Sequence, residues 1–183
     1  MANKIKYGLS KCYYAVITYG ANGVVTYGTP VAMPGAVNLN LSPEGERNVF
    51  YADNIEYFTS EGNNGYTGTL ELALVPDSFK TDVLKETVGA NGLAAEYANT
   101  TPAEFALLFQ FEGDDKASRH VLYRCTCGRP DVASQTKEAT TTPVTETLNI
   151  TAMPRIEDTL VKGRCPEDAS AYDNWFTAVV VPA

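Results

Sequence analysis

Hydrophobic and polar residues alternate with a two-residue period along much of this chain, the signature of strands with one buried face. Tyr13 to Tyr19 reads YYAVITY, rich in β-branched and aromatic residues. It meets Gly20-Ala21-Asn22-Gly23 and resumes as Val24-Val25-Thr26-Tyr27, so a hairpin is expected there. Val37, Leu39 and Leu41 then alternate with Asn38, Asn40 and Ser42. After Asn63-Asn64-Gly65, Leu70, Leu72 and Leu74 alternate with Thr69, Glu71 and Ala73, the clearest strand of the chain. Phe105, Leu107, Phe109 and Phe111 share one strand face, and Val121, Tyr123, Cys125 and Cys127 are expected to form a returning apolar face. Leu148, Ile150 and Ala152 alternate with Thr147, Asn149 and Thr151. Shorter strands are expected at Val132 to Lys137 and around Trp175, Phe176 and Val179 to Val181.

Two segments break this rhythm. Pro76 stops a strand, Asp77 or Ser78 can cap, and Phe79, Val83 and Leu84 fall on one helical face. A helix is therefore expected over about 77–87, ended by Gly89. The stretch from Pro43 to Gly65 has no clean period, yet it carries Phe50, Tyr51, Tyr57 and Phe58 among acids. Disordered segments are poor in aromatics, and structureless loops of this length are commonly functional. It reads as a loop or loose hairpin that orders against a partner; a hairpin folded on its own domain is the plainer alternative. The pattern predicts one domain over residues 1–183, mainly β: a β-sandwich or partly open barrel with one lateral α-helix and this long loop.

Charge narrows the choice of partner. The formal net charge of −8 disfavours tight nucleic-acid binding. Cys12, Cys125, Cys127 and Cys165 follow no strong metal-ligand spacing and are expected to be free, buried thiols. The first residues lack the apolar run of a signal peptide, and no stretch is long and apolar enough to span a membrane. His120 is the only histidine. It sits off the predicted apolar face and reads as a surface or interface strand residue. The serines have no nucleophile-elbow context, and phosphate-loop and dinucleotide fingerprints are missing. The adjacent acids Asp114-Asp115, Glu157-Asp158 and Glu167-Asp168 fall in turn-like stretches, where carboxylates are solvated. No catalytic residue, metal or cofactor is expected.

Several segments, in order, carry a family resemblance: KIKYGLS from Lys4 followed by YYAVIT, VFYADNIEYF from Val49, NNGYTGTLELALVPDSFKTDVL from Asn63, FALLFQFEGD from Phe105, RHVLYRCTCGRPD from Arg119, TETLNITAMPR from Thr145, and AYDNWF from Ala171. Together they resemble the siphophage major tail proteins of phages of Gram-positive bacteria. The resemblance implies a structural virion protein made in the host bacterial cytoplasm. It would self-assemble into stacked hexameric rings, forming the tail tube through which phage DNA passes. It also implies tape-measure, tail-tip and tail-terminator proteins as partners, and a lateral helix and long inter-subunit loop that lock neighbours together.

On that reading Phe50, Tyr51, Ile55, Tyr57 and Phe58 are candidate interface anchors, while Asp53 and Asn54 are candidates for fixing register. Glu46, Glu56 and Glu71 are candidates for an acidic lumen that DNA passes without sticking. The competing reading is a carbohydrate-binding β-sandwich of a tail tip or receptor-binding device, with the aromatics as sugar platforms.

Overall fold

The computed structural model describes residues 4–113, 115–136 and 143–182. In chain order the strands are β1 (Lys6–Tyr19), β2 (Val25–Tyr27), β3 (Val31–Ala32), β4 (Ala36–Glu44), β5 (Arg47–Ala52), β6 (Ile55–Glu61) and β7 (Gly65–Leu72). Helix α1 (Asp77–Asp82) follows, then β8 (Thr87–Val88), β9 (Ala94–Ala95), β10 (Phe105–Gly113), β11 (Ser118–Cys127), β12 (Glu146–Ala152) and β13 (Lys162–Cys165). The fold is mainly β. One large antiparallel sheet runs in the order β2-β1-β10-β11-β12-β7-β4, with β13 paired to β11 and β3 to β1, and it does not close into a barrel. The expected hairpin forms, with Ile17 opposite Tyr27 and Tyr19 opposite Val25.

Periodicity decides which faces are covered. In β12 and β7 the buried apolar side chains alternate, Leu148 and Ile150 on one and Leu70 and Leu72 on the other. In β10 all of Phe105 to Gln110 is buried, as expected of a strand covered on both faces. Phe105, Leu107 and Phe109 join a first core with Tyr14, Leu70, Leu72, Leu148, Ile150 and the helix residue Phe79. Ala106 and Leu108 join a second core, on the opposite face, with Val121, Tyr123, Cys165 and Trp175.

Helix α1 closes the first core. Phe79 lies edge-on to Tyr14 at 5.0 Å and to Phe105 at 5.3 Å. Burying such a ring contributes about 1.5–3 kcal/mol, and each edge-on pair about 0.5–1.5 kcal/mol more. The Tyr14 hydroxyl donates to Asp82 Oδ2 at 2.8 Å, tying the helix to β1. Its pKa is pushed up to about 12, by burial first and the neighbouring carboxylate second. The helix is shorter than the periodicity predicts. Lys85 adopts φ 63°, a left-handed conformation that ends the helical path well before Gly89. Val83 and Leu84 stay buried just past its last turn. Pro76 holds the N-cap position, with no side-chain cap from Asp77 or Ser78.

Other expectations shift by one residue through bulges. Register slips between the Phe105–Cys125 and Leu107–Leu122 pairs, so β11 does not present one continuous apolar face. Val121 and Tyr123 enter the second core, while Leu122, Cys125 and Cys127 enter the first. A slip between Ala36 and Asn38 leaves Val37 53% exposed, with Ala36 packed inward instead. Leu74 lies beyond the end of β7 and is 63% exposed. His120 is half-buried rather than on the surface, stacked on Phe109 at 5.3 Å and edge-on to Phe111 at 5.2 Å.

The expected strand at 132–137 is absent over residues 131–136, and Lys137 lies outside the described residues. The expected final strand is also absent. Residues 167–178 form successive turns that cover the second core through side chains. Phe176 stacks on Tyr13 at 4.7 Å, and Arg119 lies 3.6 Å over the Tyr172 ring. The Tyr123 hydroxyl donates to the Val180 carbonyl at 2.8 Å.

Candidate functional site

The stretch between β4 and β7 is a β-hairpin arm. The β4–β7 ladder runs out at Glu44 opposite Gly65, and the β5–β6 pairing begins at Arg47 opposite Glu61. Between them the Gly62 N–H donates to the Glu46 carbonyl at 3.0 Å. A Cβ on Gly45 would lie 1.9 Å from the Gly62 carbonyl oxygen, so the two strands cross too closely there for a side chain. The arm thus continues the edge hairpin of the main sheet.

At the tip, Asp53 and Asn54 have φ 53° and 62°. Two consecutive left-handed residues in a two-residue connection make a type I′ turn, for which Asp and Asn are suited. The turn sets the pairing of β5 with β6 within the arm. Register then divides the arm into two faces. Phe50 lies opposite Phe58 and Ala52 opposite Ile55 on one side. Arg47 lies opposite Glu61 and Tyr51 opposite Glu56 on the other. A bulge between the Phe50 and Tyr51 pairs leaves Tyr57 as the extra residue. Arg47 Nη2 binds Glu56 Oε2 at 3.0 Å, and the Tyr51 hydroxyl donates to Glu56 Oε1 at 3.3 Å. The apolar face has no such cover: Phe50, Ile55 and Phe58 are each at least 60% exposed. Every residue of β6 is exposed. A two-stranded hairpin is marginal in water by itself, and among the described residues this one lays its apolar face on no other part of its chain.

A second feature is the outer face of β4, β7 and β12. Opposite the buried leucines, Asn38, Glu71 and Thr147 form one row across the strands. Asn40, Thr69 and Asn149 form the next, and Ser42, Thr67 and Thr151 a third. These rows contain amides, hydroxyls and one carboxylate, and no lysine or arginine. Glu71 accepts a bond from the Thr145 hydroxyl at 2.5 Å. The C-terminal turns that cover β1, β10 and β11 do not extend over this part of the sheet.

The sequence-derived candidates therefore fall on different elements. Phe50, Ile55 and Phe58 are brought together on the arm's apolar face, with Tyr51 behind them and Tyr57 at the bulge. Glu46 lies at the arm's root, Glu56 on its polar face and Glu71 on the sheet, so the three acids do not gather on one surface. Asn38, Asn40, Thr67 and Asn149 lie outside those candidates, although their alternation with leucines marks the outer face of the sheet.

Near the helix, Arg124 grips Glu104 through two bonds of 2.9 and 2.7 Å, with the Tyr19 hydroxyl also donating to Glu104. Arg124 holds the Glu104 carboxyl below the usual range. Among the described residues no cluster of three His, Cys, Asp or Glu side chains could hold a metal ion. No helix among the described residues is long and apolar enough to cross a membrane.

No curated protein matches the chain. A family model described as phage tail tube protein matches residues 2–116, a span that includes β1 through β10, the arm and the helix. That span is most of the chain, and the sequence resemblance, the mainly-β fold and the projecting arm agree with it: the chain belongs to the phage tail tube proteins, structural proteins of the virion tail.

Proposed function

We propose that copies of this chain close into hexameric rings, and that the rings stack into the tube through which phage DNA passes. The observation that carries this reading is the arm, an amphipathic hairpin whose apolar face is exposed and unmatched among the described residues of its own chain. Such a surface becomes stable when a neighbouring copy covers it. Phe50, Ile55 and Phe58 supply the buried contact, Tyr51 and Tyr57 its margin, and the Asp53-Asn54 turn its register. The arm bridges subunits or rings.

The open sheet supports ring closure. Its outer strands β2 and β4 leave edges that a head-to-tail contact pairs around a ring. The uncovered face of β4, β7 and β12 suits a lumen, since neutral polar groups and Glu71 offer no cation to hold a phosphate. Glu46 and Glu56 contribute negative charge where the arm reaches the neighbouring copy. Tape-measure, tail-tip and tail-terminator proteins meet the tube along its bore and at its ends.

Removal of residues 46–60 tests the reading. The expected product is a soluble, folded body with native circular dichroism and no tubes in negative-stain micrographs. Normal tubes from the shortened chain would refute the role of the arm, and an unfolded product would place the segment in the core.

A further inference from the structure

At the end of the sheet where β1 begins and β10 finishes, a cleft of about 770 Å³ opens beside β13. That volume is in the range of ligand pockets, about 300–1,000 Å³. Its charge is opposite to that of the molecule. Lys4, Lys6, Lys116 and Arg164 line it against two carboxylates, Glu167 and Asp168, on a chain of net charge −8. Glu167 is engaged by Lys116 at 3.2 Å. Lys6 and Arg164 are exposed. One wall is aromatic: Lys6 Nζ stands 5.2 Å from the centre of the Phe111 ring, and His120 lies edge-on to the same ring. Burial and the surrounding cations keep that imidazole neutral, with a pKa pulled down to about 4.

A cationic rim around an apolar, aromatic wall suits a segment that combines carboxylates with large apolar side chains. The arm has that composition. Beyond Arg47, residues 48–61 hold Asp53, Glu56 and Glu61 and no lysine or arginine, together with two phenylalanines and two tyrosines. No arm residue lines the cleft of its own chain.

We propose that this cleft receives the tip of the arm of a second copy, with Asp53 and Glu56 meeting Lys6 and Arg164, and Ile55 and Tyr57 packing against Phe111. This rests on the reading of the arm as an inter-subunit tie, and assigns the surface that the tie grips.

Photo-crosslinking of full-length assemblies tests it. With Tyr57→p-benzoylphenylalanine, irradiation should join the arm to peptides of another copy containing residues 4–6, 111–118 or 164–168. Inter-copy crosslinks confined to other segments would overturn the cleft assignment and leave the arm reading intact. An arm that never crosslinks between copies within pelleted assemblies would sink both.

Charge exchange gives an independent measurement. The K6E/R164E and D53K/E56K pairs should each cut the sedimenting fraction at least tenfold while circular dichroism stays native. Their combination in one chain should recover most of it. Wild-type assembly by K6E/R164E, or no recovery in the combined variant, would overturn the proposal. Should charge reversal disturb folding, K6Q/R164Q gives the same comparison without introducing new acids.

Discussion

His120 illustrates how a side chain's neighbours decide its charge. It is the single histidine of the chain, packed against Phe109 and Phe111 with Ser118 Oγ 3.1 Å from Nε2. Burial is the largest cause of its lowered pKa, and the cations Lys162, Arg164 and Lys6 add to it. Unfolding returns the ring to its ordinary value of 6.5, against about 4 when folded. Between those values the unfolded chain binds a proton that the folded chain does not. Stability from this residue is therefore intact above pH 6.5 and falls as pH drops towards 4. Proton NMR should show one imidazole titrating near pH 4 in the folded protein. Urea unfolding of His120→Phe should lose part of the acid-side slope seen in the wild type. A titration midpoint near 6.5 would contradict the packing described. None of this is visible in the local sequence Ser118-Arg119-His120-Val121, because the rings that stack on His120 come from β10.

Among the elements, the arm is where the proposed assembly role can be separated most cleanly from folding. Phe50 and Phe58 face each other on an exposed surface, so replacing them leaves the body's core untouched. Phe50→Ser with Phe58→Ser should shift unfolding free energy by no more than about 0.5 kcal/mol. The same variant should abolish sedimenting polymer. A large loss of stability would mean that the arm packs on its own chain. Residues 43–65 stood out in the sequence because their aromatics and acids keep no clean period, but the two faces of the hairpin were not legible. A bulge at Tyr57 displaces the period, and the turn is Asp-Asn rather than the more conspicuous Asn-Gly. The helix was legible as an amphipathic face at Phe79, Val83 and Leu84, yet its length was not. Its end is set by the left-handed Lys85, a residue type with no special preference for that conformation.

For the whole molecule, the main sheet serves two cores that share strands and differ in how they are covered. Helix α1 closes one, and the turns around Trp175 close the other. Phe79 and Trp175 belong to opposite sides of the sheet, with no common partner in either core. Phe79→Leu and Trp175→Phe should each destabilise, by about 1–3 kcal/mol. Their effects should add to within about 0.5 kcal/mol in denaturant titrations of the double variant. Strong coupling would mean that the two faces open as one. The mainly-β class and most strands were legible because alternation is a local signal. The second core was not, because Trp175, Phe176 and Tyr172 pack through side chains without strand pairing. The basic cleft was equally hidden, since its cations come from segments far apart in the chain.

All four thiols are free and sealed inside this double-sided body, Cys12, Cys125 and Cys127 under one face and Cys165 under the other. Burial raises their pKa values and withholds the reactive thiolate. Copies of this chain therefore meet without ready oxidative crosslinks through these cysteines.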